Sequence, residues 1–287
     1  MFCTLLFTPA NDNKKILKAL NLDVDVVILD LEDACALNEK EKASSEINYF
    51  ASLPRNNRLY IRVNGIKTPY FFKDMQNVVS KDIDGIVIPM LEEPNEICII
   101  EWYLSNLEME QNIPLGSIDI IPIIETARGL GNLREILRFS KRIKRIAFGA
   151  GDFTNDIGME WSKTSEEVLY ARSKIVLESR IANIEAPIDT VYIDLNDIEH
   201  FKNETKHAKK MGFQGKLLIH PNQINPAKKI FAPSLSDIEQ AKKIMKAFEL
   251  AEKNGSSSIK VDGQFVDYPI YYKAVKIINL AKKFGIN

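Results

Sequence analysis

Cysteine and histidine are scarce in this sequence of 287 residues, which contains 3 cysteines and 3 histidines. Cys3, Cys35 and Cys98 show no paired spacing and no CxxC motif, so neither a disulfide framework nor a structural zinc site is expected. No charge is in excess, because 38 lysines and arginines oppose 39 aspartates and glutamates. Such a chain lacks the electrostatic surface of a protein that grips nucleic acid or an anionic membrane. A small-molecule ligand and the reducing cytoplasm are therefore expected.

Long hydrophobic runs are also missing. The apolar segment MFCTLLF at the start is too short to span a bilayer and has no basic region before it. We interpret it as a first strand. The segment that follows, TPANDN, has no GxGxxG pattern, which argues against a doubly wound dinucleotide-binding sheet.

Eight short apolar runs, rich in β-branched residues, recur along the chain. Several of them, such as VVILDL and DIIPII, are almost continuously apolar, which favours parallel strands buried on both faces. The predicted strands are Thr4–Phe7, Val24–Asp30, Leu59–Val63, Gly85–Pro89, Ile118–Ile124, Arg145–Gly149, Thr190–Ile193 and Lys216–Ile219.

Charged segments with helical spacing separate these runs. The predicted helices are Asn13–Leu20, Lys40–Phe50, Pro94–Glu110, Gly131–Ser140, Ser165–Ile184 and Ile198–Met211. Alternation of this kind over roughly 250 residues is typical of a TIM (β/α)8 barrel, with the doubly wound sheet as the rival fold. We predict a barrel domain over residues 1–230.

Residues 231–287 exceed what a barrel needs. They contain a predicted helix at Ser236–Lys253, a hairpin turn at Asp262-Gly263 and a last helix at Pro269–Phe284. This C-terminal helical and hairpin extension is expected to be a lid over the barrel or an oligomer contact.

Polar residues follow most of the predicted strands, and the carboxyl ends of barrel strands form one mouth. They are Asp30, Glu32, Asp33, Arg62, Asn64, Glu125, Arg128, Asp152, Asp194, His220 and Gln223. Glu125 and Asp152, from neighbouring strands, form a hard-oxygen pair that suits Mg²⁺ or Mn²⁺. A 2-oxo or 2-hydroxy acid could chelate that ion, while Arg62 clamps the substrate carboxylate or an enolate oxygen with two parallel hydrogen bonds.

Each of these residues also has an ordinary structural interpretation. An acidic residue at a strand end is often a helix cap, as Asp33 could be, and a lone histidine before a proline, such as His220, is often structural. Glu125, Asp152 and Arg62 stand out because three strands, adjacent or nearly so, deliver them to one mouth.

Seven motifs occur together in a specific order: LLFTPAN, VVILDLEDA, IRVN, IIETARG, FGAGDFTNDIG, IHPNQI and DGQFVDYPI. In this order they resemble the citrate lyase beta-subunit and malyl-CoA lyase family over nearly the whole chain. The resemblance implies a TIM barrel, often trimeric or hexameric, that binds Mg²⁺ through Glu125 and Asp152. It also implies that Arg62, Glu32 and Asp267 are catalytic, with Asp267 on a lid that reaches the neighbouring subunit. Substrate-binding residues are expected to be Arg62, Asn64, Gly151, Asp152 and His220.

Four positions depart from the family pattern: Cys3, Ser44, Met90 and Gly151 stand where relatives commonly carry charged residues. We interpret each change as the loss of a charge near the mouth, and the lost arginines and lysines as groups that would pair with the phosphates of coenzyme A or orient an acyl thioester. The predicted function is a metal-dependent carbon–carbon lyase or aldolase acting on a 3-hydroxy acyl substrate, such as a citryl-, malyl- or citramalyl-CoA, through a metal-stabilised enolate. The alternatives are an aldolase for free 2-oxo or hydroxy acids, a lyase for carrier-protein-bound acyl groups, and a non-catalytic barrel scaffold.

Overall fold

The computed structural model describes residues 1–286. The chain divides into two compact units, Met1–Lys228 and Lys229–Asn287. The first unit contains eight strands: β1 Thr4–Pro9, β2 Val26–Asp30, β3 Arg58–Arg62, β4 Gly85–Ile88, β5 Asp119–Ile124, β6 Ala147–Phe148, β7 Ile188–Asp189 and β8 Gly215–Leu218. They pair in chain order, and β1 pairs with β8 in parallel, with Thr4 beside Lys216, which closes the barrel. The predicted TIM-type barrel is confirmed.

Helices follow the strands on the outside of the barrel. They are α1 Asn13–Leu20, α2 Lys40–Ala51, α3 Phe71–Val78, α4 Pro94–Glu110, α5 Ala127–Gly131, α6 Leu133–Arg138, α7 Ala150–Ile157, α8 Leu169–Ile181, α9 Ile198–Met211 and α10 Ile224–Phe231. The predictions for α1, α4 and α9 have the observed bounds. Within residues 1–286, every helix is too short or too polar to cross a bilayer.

Two apolar layers explain why the continuous runs become strands. Alternate residues such as Leu5, Ile28 and Ile123 point into the barrel and form an inner cluster. The residues between them, such as Leu6 and Leu29, pack outward against the helices in a larger cluster. Because both faces of each strand are buried, polar side chains are mainly left to the strand ends.

The predicted seventh strand, Thr190–Ile193, was wrong. β7 is Ile188–Asp189, and the apolar residues after it leave the sheet. Thr190 accepts a hydrogen bond from the backbone N–H of Ala150 at 2.9 Å, and the Tyr192 ring packs against the Phe201 ring. These side chains therefore serve loop packing in place of a strand.

Two helix predictions also needed correction. The helix predicted at Gly131–Ser140 is the shorter helix α6, and a separate helix, α5, which was not predicted, ends at Gly131. The side chain of Asn132, between the two helices, donates to the carbonyl of Glu92 at 2.9 Å. The helix predicted at Ser165–Ile184 is a 3-10 turn at Glu166–Val168 followed by α8, which ends at Ile181. Ser165 has a positive φ of 55° and therefore lies outside the helix. Helices α3, α7 and α10 were missed.

The C-terminal unit has a small core of its own. It contains α11 Leu235–Lys253, the antiparallel strands β9 Ile259–Val261 and β10 Gln264–Val266, and α12 Tyr268–Lys283. The predicted hairpin turn is present: both Asp262 and Gly263 have positive φ, as a two-residue type I′ turn requires. Phe248 and Val266 are among the buried residues of this core.

Candidate active site

The carboxyl ends of the barrel strands surround a cavity of about 310 Å³. It is lined by Phe7, Asp30, Asp33, Ala34, Arg62, Ile123, Glu125, Gly149, Gly151, Asp152, Thr190, Val191, Leu217 and Ile219. A larger cavity of about 560 Å³ includes Met1 and Asp119, at the amino-terminal end of the strands. Barrel enzymes carry their chemistry at the carboxyl end, so the smaller cavity, with its convergent acids and arginine, is the candidate site.

Arg62, the last residue of β3, is the buried cation of this cavity. Its Nε and Nη2 donate to the two oxygens of Asp30 over 2.7 and 2.6 Å. The face of its guanidinium lies on the Phe7 ring, 4.6 Å from the centroid. Burial opposes the charge, but the hydrogen bonds to Asp30 and the charges of Asp30 and Glu32 outweigh it and raise the pKa of Arg62. The guanidinium is therefore always charged and held in one orientation.

Arg62 was predicted to make two parallel hydrogen bonds with a substrate. In the structure it makes such a pair with Asp30. Asp30 in turn accepts the backbone N–H groups of Glu32 and Ala34 over 3.0 and 3.1 Å. Arg62 would thus meet a substrate through Nη1, which lies 2.8 Å from Glu32 Oε2 and 3.4 Å from Asp33.

Glu32 is half-buried in the turn after β2. Its Oε2 is buried and forms the ion pair with Arg62, but without the alignment of a hydrogen bond. Desolvation raises the pKa of Glu32 from its ordinary 4.5 to about 7, against the lowering effect of Arg62. The nearby charges of Asp33, Asp30 and Asp152 also raise it. In the free protein, this carboxyl exchanges its proton near neutral pH.

Glu125 follows β5 and is buried, with 3% of its surface exposed. Its Oε1 accepts the backbone N–H of Met90 at 2.7 Å. The carboxylate needs the glycine at position 149, because a Cβ there would lie 2.5 Å from Glu125 Oε2. Burial raises the pKa of Glu125 well above its ordinary value, and the charges of Glu32 and Asp152 raise it further.

Asp152 is in the first turn of α7 and is accessible to solvent in the same cavity. Desolvation and the charge of Asp33 raise its pKa, while Arg62 lowers it. Glu125 and Asp152, two carboxyl groups with raised pKa values, thus line one cavity, and Glu32, whose pKa is also raised, lies beside its Arg62. Arg62, the cation among these acids, is already paired with Asp30. Such a site favours an additional positive charge.

Hard carboxylate oxygens of this kind fit Mg²⁺ or Mn²⁺. In the part of the chain that the structure describes, no three histidine, cysteine, aspartate or glutamate side chains are grouped closely enough to hold a metal by themselves. Magnesium in enzymes usually takes one or two carboxylates and leaves its other positions to water and substrate. The donor set of Glu125 and Asp152 is consistent with that habit.

The side chain of Asn64, a predicted substrate-binding residue, is fully engaged within the protein. Its Nδ2 donates to Asp74 at 2.6 Å and to the carbonyl of Leu31 at 3.1 Å. Its Oδ1 accepts a hydrogen bond from Lys40 Nζ. Lys40 is a buried lysine that the sequence interpretation overlooked, because a charged residue at a helix start normally lies in solvent. The role of Asn64 in substrate binding stays a prediction.

The other predicted residues have different locations. His220 lines a neighbouring cavity of about 240 Å³, where its Nδ1 accepts the backbone N–H of Asn222 at 3.2 Å. Gly151 lines the candidate site. Asp267 is in the C-terminal unit, where it caps α12 by accepting the backbone N–H of Ile270 at 3.3 Å.

The interpretation that all four departures from the family pattern lie near the mouth was wrong. Cys3 precedes β1 at the opposite end of the barrel, where it is buried and donates to Asp25 through both N and Sγ. Ser44 is buried in α2 and accepts from Asn77 of α3 at 3.1 Å. Only Met90, which donates to Glu125, and Gly151 contact the site.

The fold and the cavity together define an α/β barrel with an acid-rich cavity at the carboxyl ends of its strands. A family model described as HpcH/HpaI aldolase/citrate lyase matches residues 3–221. The chain is 34% identical to the citrate lyase subunit beta of Leuconostoc mesenteroides subsp. cremoris, over 97% of this chain and 92% of that protein. It is 30% identical to the mitochondrial citramalyl-CoA lyase of Homo sapiens, over 96% of this chain and 84% of that protein.

The solved structures agree with these sequence relatives. The CitE protein of Mycobacterium tuberculosis, in complex with magnesium, acetoacetate and coenzyme A, matches with a TM-score of 0.78 at 25% identity, over 98% of both chains. The chain therefore belongs to the HpcH/HpaI aldolase/citrate lyase family. The predicted resemblance is confirmed, and so is the enzyme class, a carbon–carbon lyase.

Proposed function

We propose that this protein is a Mg²⁺-dependent lyase that cleaves or forms a 3-hydroxy acyl thioester of the citryl-, malyl- or citramalyl-CoA type. The observation that carries the proposal is the acidic cavity that Glu125 and Asp152 line together with the paired Arg62, against which Glu32 lies. The relatives named citrate lyase and citramalyl-CoA lyase support the reaction, and the mycobacterial complex supports the ion and the coenzyme A carrier.

Glu125 and Asp152 would hold the ion. When bound, Mg²⁺ supplies Lewis-acid chemistry to the oxygens of a chelating substrate. The backbone N–H of Met90 holds the Glu125 carboxylate in place, and Gly149 leaves the room that this carboxylate occupies. The side chain of Asp152 is accessible to solvent. Mn²⁺ satisfies the same preference for oxygen ligands.

Arg62 would stabilise negative charge that develops on the substrate. Its Nη1 points to the acidic side of the cavity and is the part of the guanidinium that Asp30 leaves available. A fixed cation in a water-poor cavity stabilises a developing oxyanion strongly, because it need not reorganise during the reaction.

Glu32 would take and return a proton during the reaction. Its raised pKa suits proton transfer near neutral pH, which is the requirement for a general acid or base. Asp267 is the residue for which the family resemblance predicts an acid/base role, carried by the C-terminal extension as a lid over a neighbouring subunit. This role, the lid domain at residues 231–287, the assembly into trimers or hexamers and the cytoplasmic location remain predictions.

The cavity that His220 lines supports a substrate that carries a negatively charged group far from its acyl part. It shares Phe7 and Ile219 with the acidic cavity and also contains Lys15 and Lys18. A thioester whose acyl group reaches the acids could extend its phosphate-bearing carrier toward these two lysines. A free 2-oxo or hydroxy acid would leave this second cavity unused.

A substrate panel tests the proposal. Citryl-, malyl- and citramalyl-CoA are assayed with Mg²⁺ beside the matching free acids, for the wild type and for Lys15→Ala/Lys18→Ala. We expect turnover of at least one thioester and a raised KM for that substrate in the double variant. Turnover of free acids alone would support the alternative of an aldolase for free acids. Absence of both turnover and metal binding would support the alternative of a non-catalytic barrel scaffold.

A further inference from the structure

Lys40, the first residue of α2, is almost completely buried, with 6% of its surface exposed. Its ammonium donates to the carbonyls of Leu31 and Glu32 over 3.0 and 2.9 Å, and to Oδ1 of Asn64. An ammonium has three protons, so these three acceptors use all of them. None of the three acceptors is a carboxylate, which is unusual for a buried lysine.

The two carbonyls belong to the turn that carries Glu32. The same turn is held from its other side, because Asp30 accepts the backbone N–H groups of Glu32 and Ala34. Lys40 donates to the carbonyl groups of the turn and Asp30 accepts from its N–H groups. Both the donors and the acceptors of the backbone around Glu32 are therefore held by side chains. Asp30 also anchors Arg62, which connects the turn to the guanidinium.

A buried anion balances the buried ammonium at a distance. Asp74, 3% exposed, accepts both the backbone N–H and the side-chain amide of Asn64. The side-chain amide of Asn64, which follows β3, therefore connects Lys40 at the start of α2 to Asp74 in α3. Such a fully paired polar network is rigid and specifies a single arrangement.

We propose that Lys40 is a positioning residue, which fixes the Glu32 turn so that the Glu32 carboxyl faces Arg62. Arg62 lines the acidic cavity and Lys40 does not, so Lys40 acts on the site through Glu32. The inference deepens the proposed function and rests on it for its catalytic consequence. The fixed turn itself is tested in the free protein.

The first measurement is amide hydrogen exchange of residues 31–36 in metal-free protein. Lys40→Met removes the three donors, and we expect exchange in this segment to accelerate by about 10-fold or more, with the barrel strands unchanged. Lys40→Gln, which keeps a shorter neutral donor, should give a smaller change in the same direction and serves if the methionine variant folds poorly. Unchanged exchange in a folded variant would overturn the proposal, whatever reaction the protein catalyses.

The second measurement is a double-mutant cycle with Glu32→Gln. Lys40→Met should lower kcat by about 10- to 100-fold with KM nearly constant, the usual effect of losing a group that orients a catalytic residue. In the Glu32→Gln background, the same change should lower kcat by less than about 3-fold, because the residue through which Lys40 acts is already lost. Equal losses in both backgrounds would show that Lys40 is merely structural.

Lys216 provides the matched control. It is fully buried on β8 and pairs with Asp189 at 2.8 Å, away from the Glu32 turn. Arg172 also binds Asp189, so Lys216→Met leaves that carboxylate with a partner. We expect this variant to lose stability without faster exchange at residues 31–36. If it reproduces the Lys40→Met pattern, general loosening is the cause and the proposal fails. A wild type without lyase turnover would refute the proposed function but leave the exchange result to decide the role of Lys40.

Discussion

Arg62 and Asp30 lie side by side at the ends of the adjacent strands β3 and β2 and form a bidentate ion pair, in which Nε and Nη2 donate to separate carboxylate oxygens over 2.7 and 2.6 Å. Both residues are buried, at 8% and 1% exposure, so the pair is shielded from water. The arginine is thereby oriented before any substrate arrives. Only its Nη1 edge remains for the chemistry.

Replacing Arg62 by methionine should remove this fixed cation. We expect kcat to fall by about 100-fold or more, as when an oxyanion-stabilising donor is lost. Because Asp30 keeps a buried charge without its cation, stability should also fall by about 3–5 kcal/mol. Enzyme assays and urea unfolding measure the two effects.

Arg58→Met is the control for this variant, since Arg58 lies at the other end of β3 and forms an exposed pair with Asp84. Its loss should cost less than about 1 kcal/mol and leave kcat unchanged. Equal effects of the two substitutions would contradict the special role of Arg62.

Gly149→Ala should disable the site by steric displacement. The new Cβ would approach Glu125 Oε2 at 2.5 Å and Glu125 Cβ at 2.8 Å, so the carboxylate must move. We expect Mg²⁺ affinity to fall by about 10-fold or more, measured by isothermal titration. Gly131→Ala has no atom within 4 Å of its new Cβ and should bind the ion normally. Wild-type affinity in Gly149→Ala would refute this placement of Glu125.

Much of the barrel and part of its site were readable from the sequence. The continuous apolar runs predicted most strands, because barrel strands are buried on both faces. Since all parallel strands end on the same side of the barrel, the sequence also predicted that Glu125, Asp152 and Arg62 lie at one mouth. The same rule of polarity places Cys3, which precedes β1, at the opposite end, and the sequence interpretation did not apply it. The prediction at β7 failed because an apolar run does not reveal whether it packs as a strand or as a loop.

The supporting contacts were beyond the sequence pattern. Lys40 and Asn64 are 24 residues apart, and their hydrogen bond exists only because the loops after β2 and β3 meet at the mouth. Asp30 was noticed as a strand-end acid, but its pairing with Arg62 depends on the register of β2 and β3, in which the two residues are direct neighbours. Periodicity carries no information on that register.

The raised pKa values make a prediction for pH. The folded metal-free protein holds protons on Glu32, with a pKa of about 7, and on Glu125 where the unfolded chain has already lost them. Because the folded state binds more protons, its free energy of unfolding should fall as pH rises from about 5 to 8. Urea unfolding at several pH values measures this slope.

Glu125→Gln should flatten that slope, since an amide does not titrate. Saturating Mg²⁺ should raise stability most at the higher pH, where the carboxylates are ionised and bind the ion. A stability that increases with pH in metal-free wild type would contradict the placement of these acids.

The predicted lid can be tested by complementation. If Asp267 of one subunit serves the mouth of another, Asp267→Asn and Glu125→Gln variants should each be inactive but regain measurable turnover when unfolded and refolded together. The mixed oligomer then contains a site with an intact Glu125 and an intact Asp267 from different chains. Absence of recovery would show that Asp267 acts within its own chain, and an Asp267→Asn variant that is active by itself would show that Asp267 has no catalytic role. Each variant unfolded and refolded alone is the control.

The most direct test of the central claim is the affinity for Mn²⁺, as a spectroscopic substitute for Mg²⁺, of the wild type, Glu125→Gln and Asp152→Asn. It is measured by electron paramagnetic resonance with and without oxaloacetate, pyruvate or glyoxylate. A shared ion predicts binding by the wild type that tightens with at least one of these acids, and weakening of about 10-fold or more in both variants. Wild-type affinity in either variant, or binding that none of the acids changes, would contradict the account.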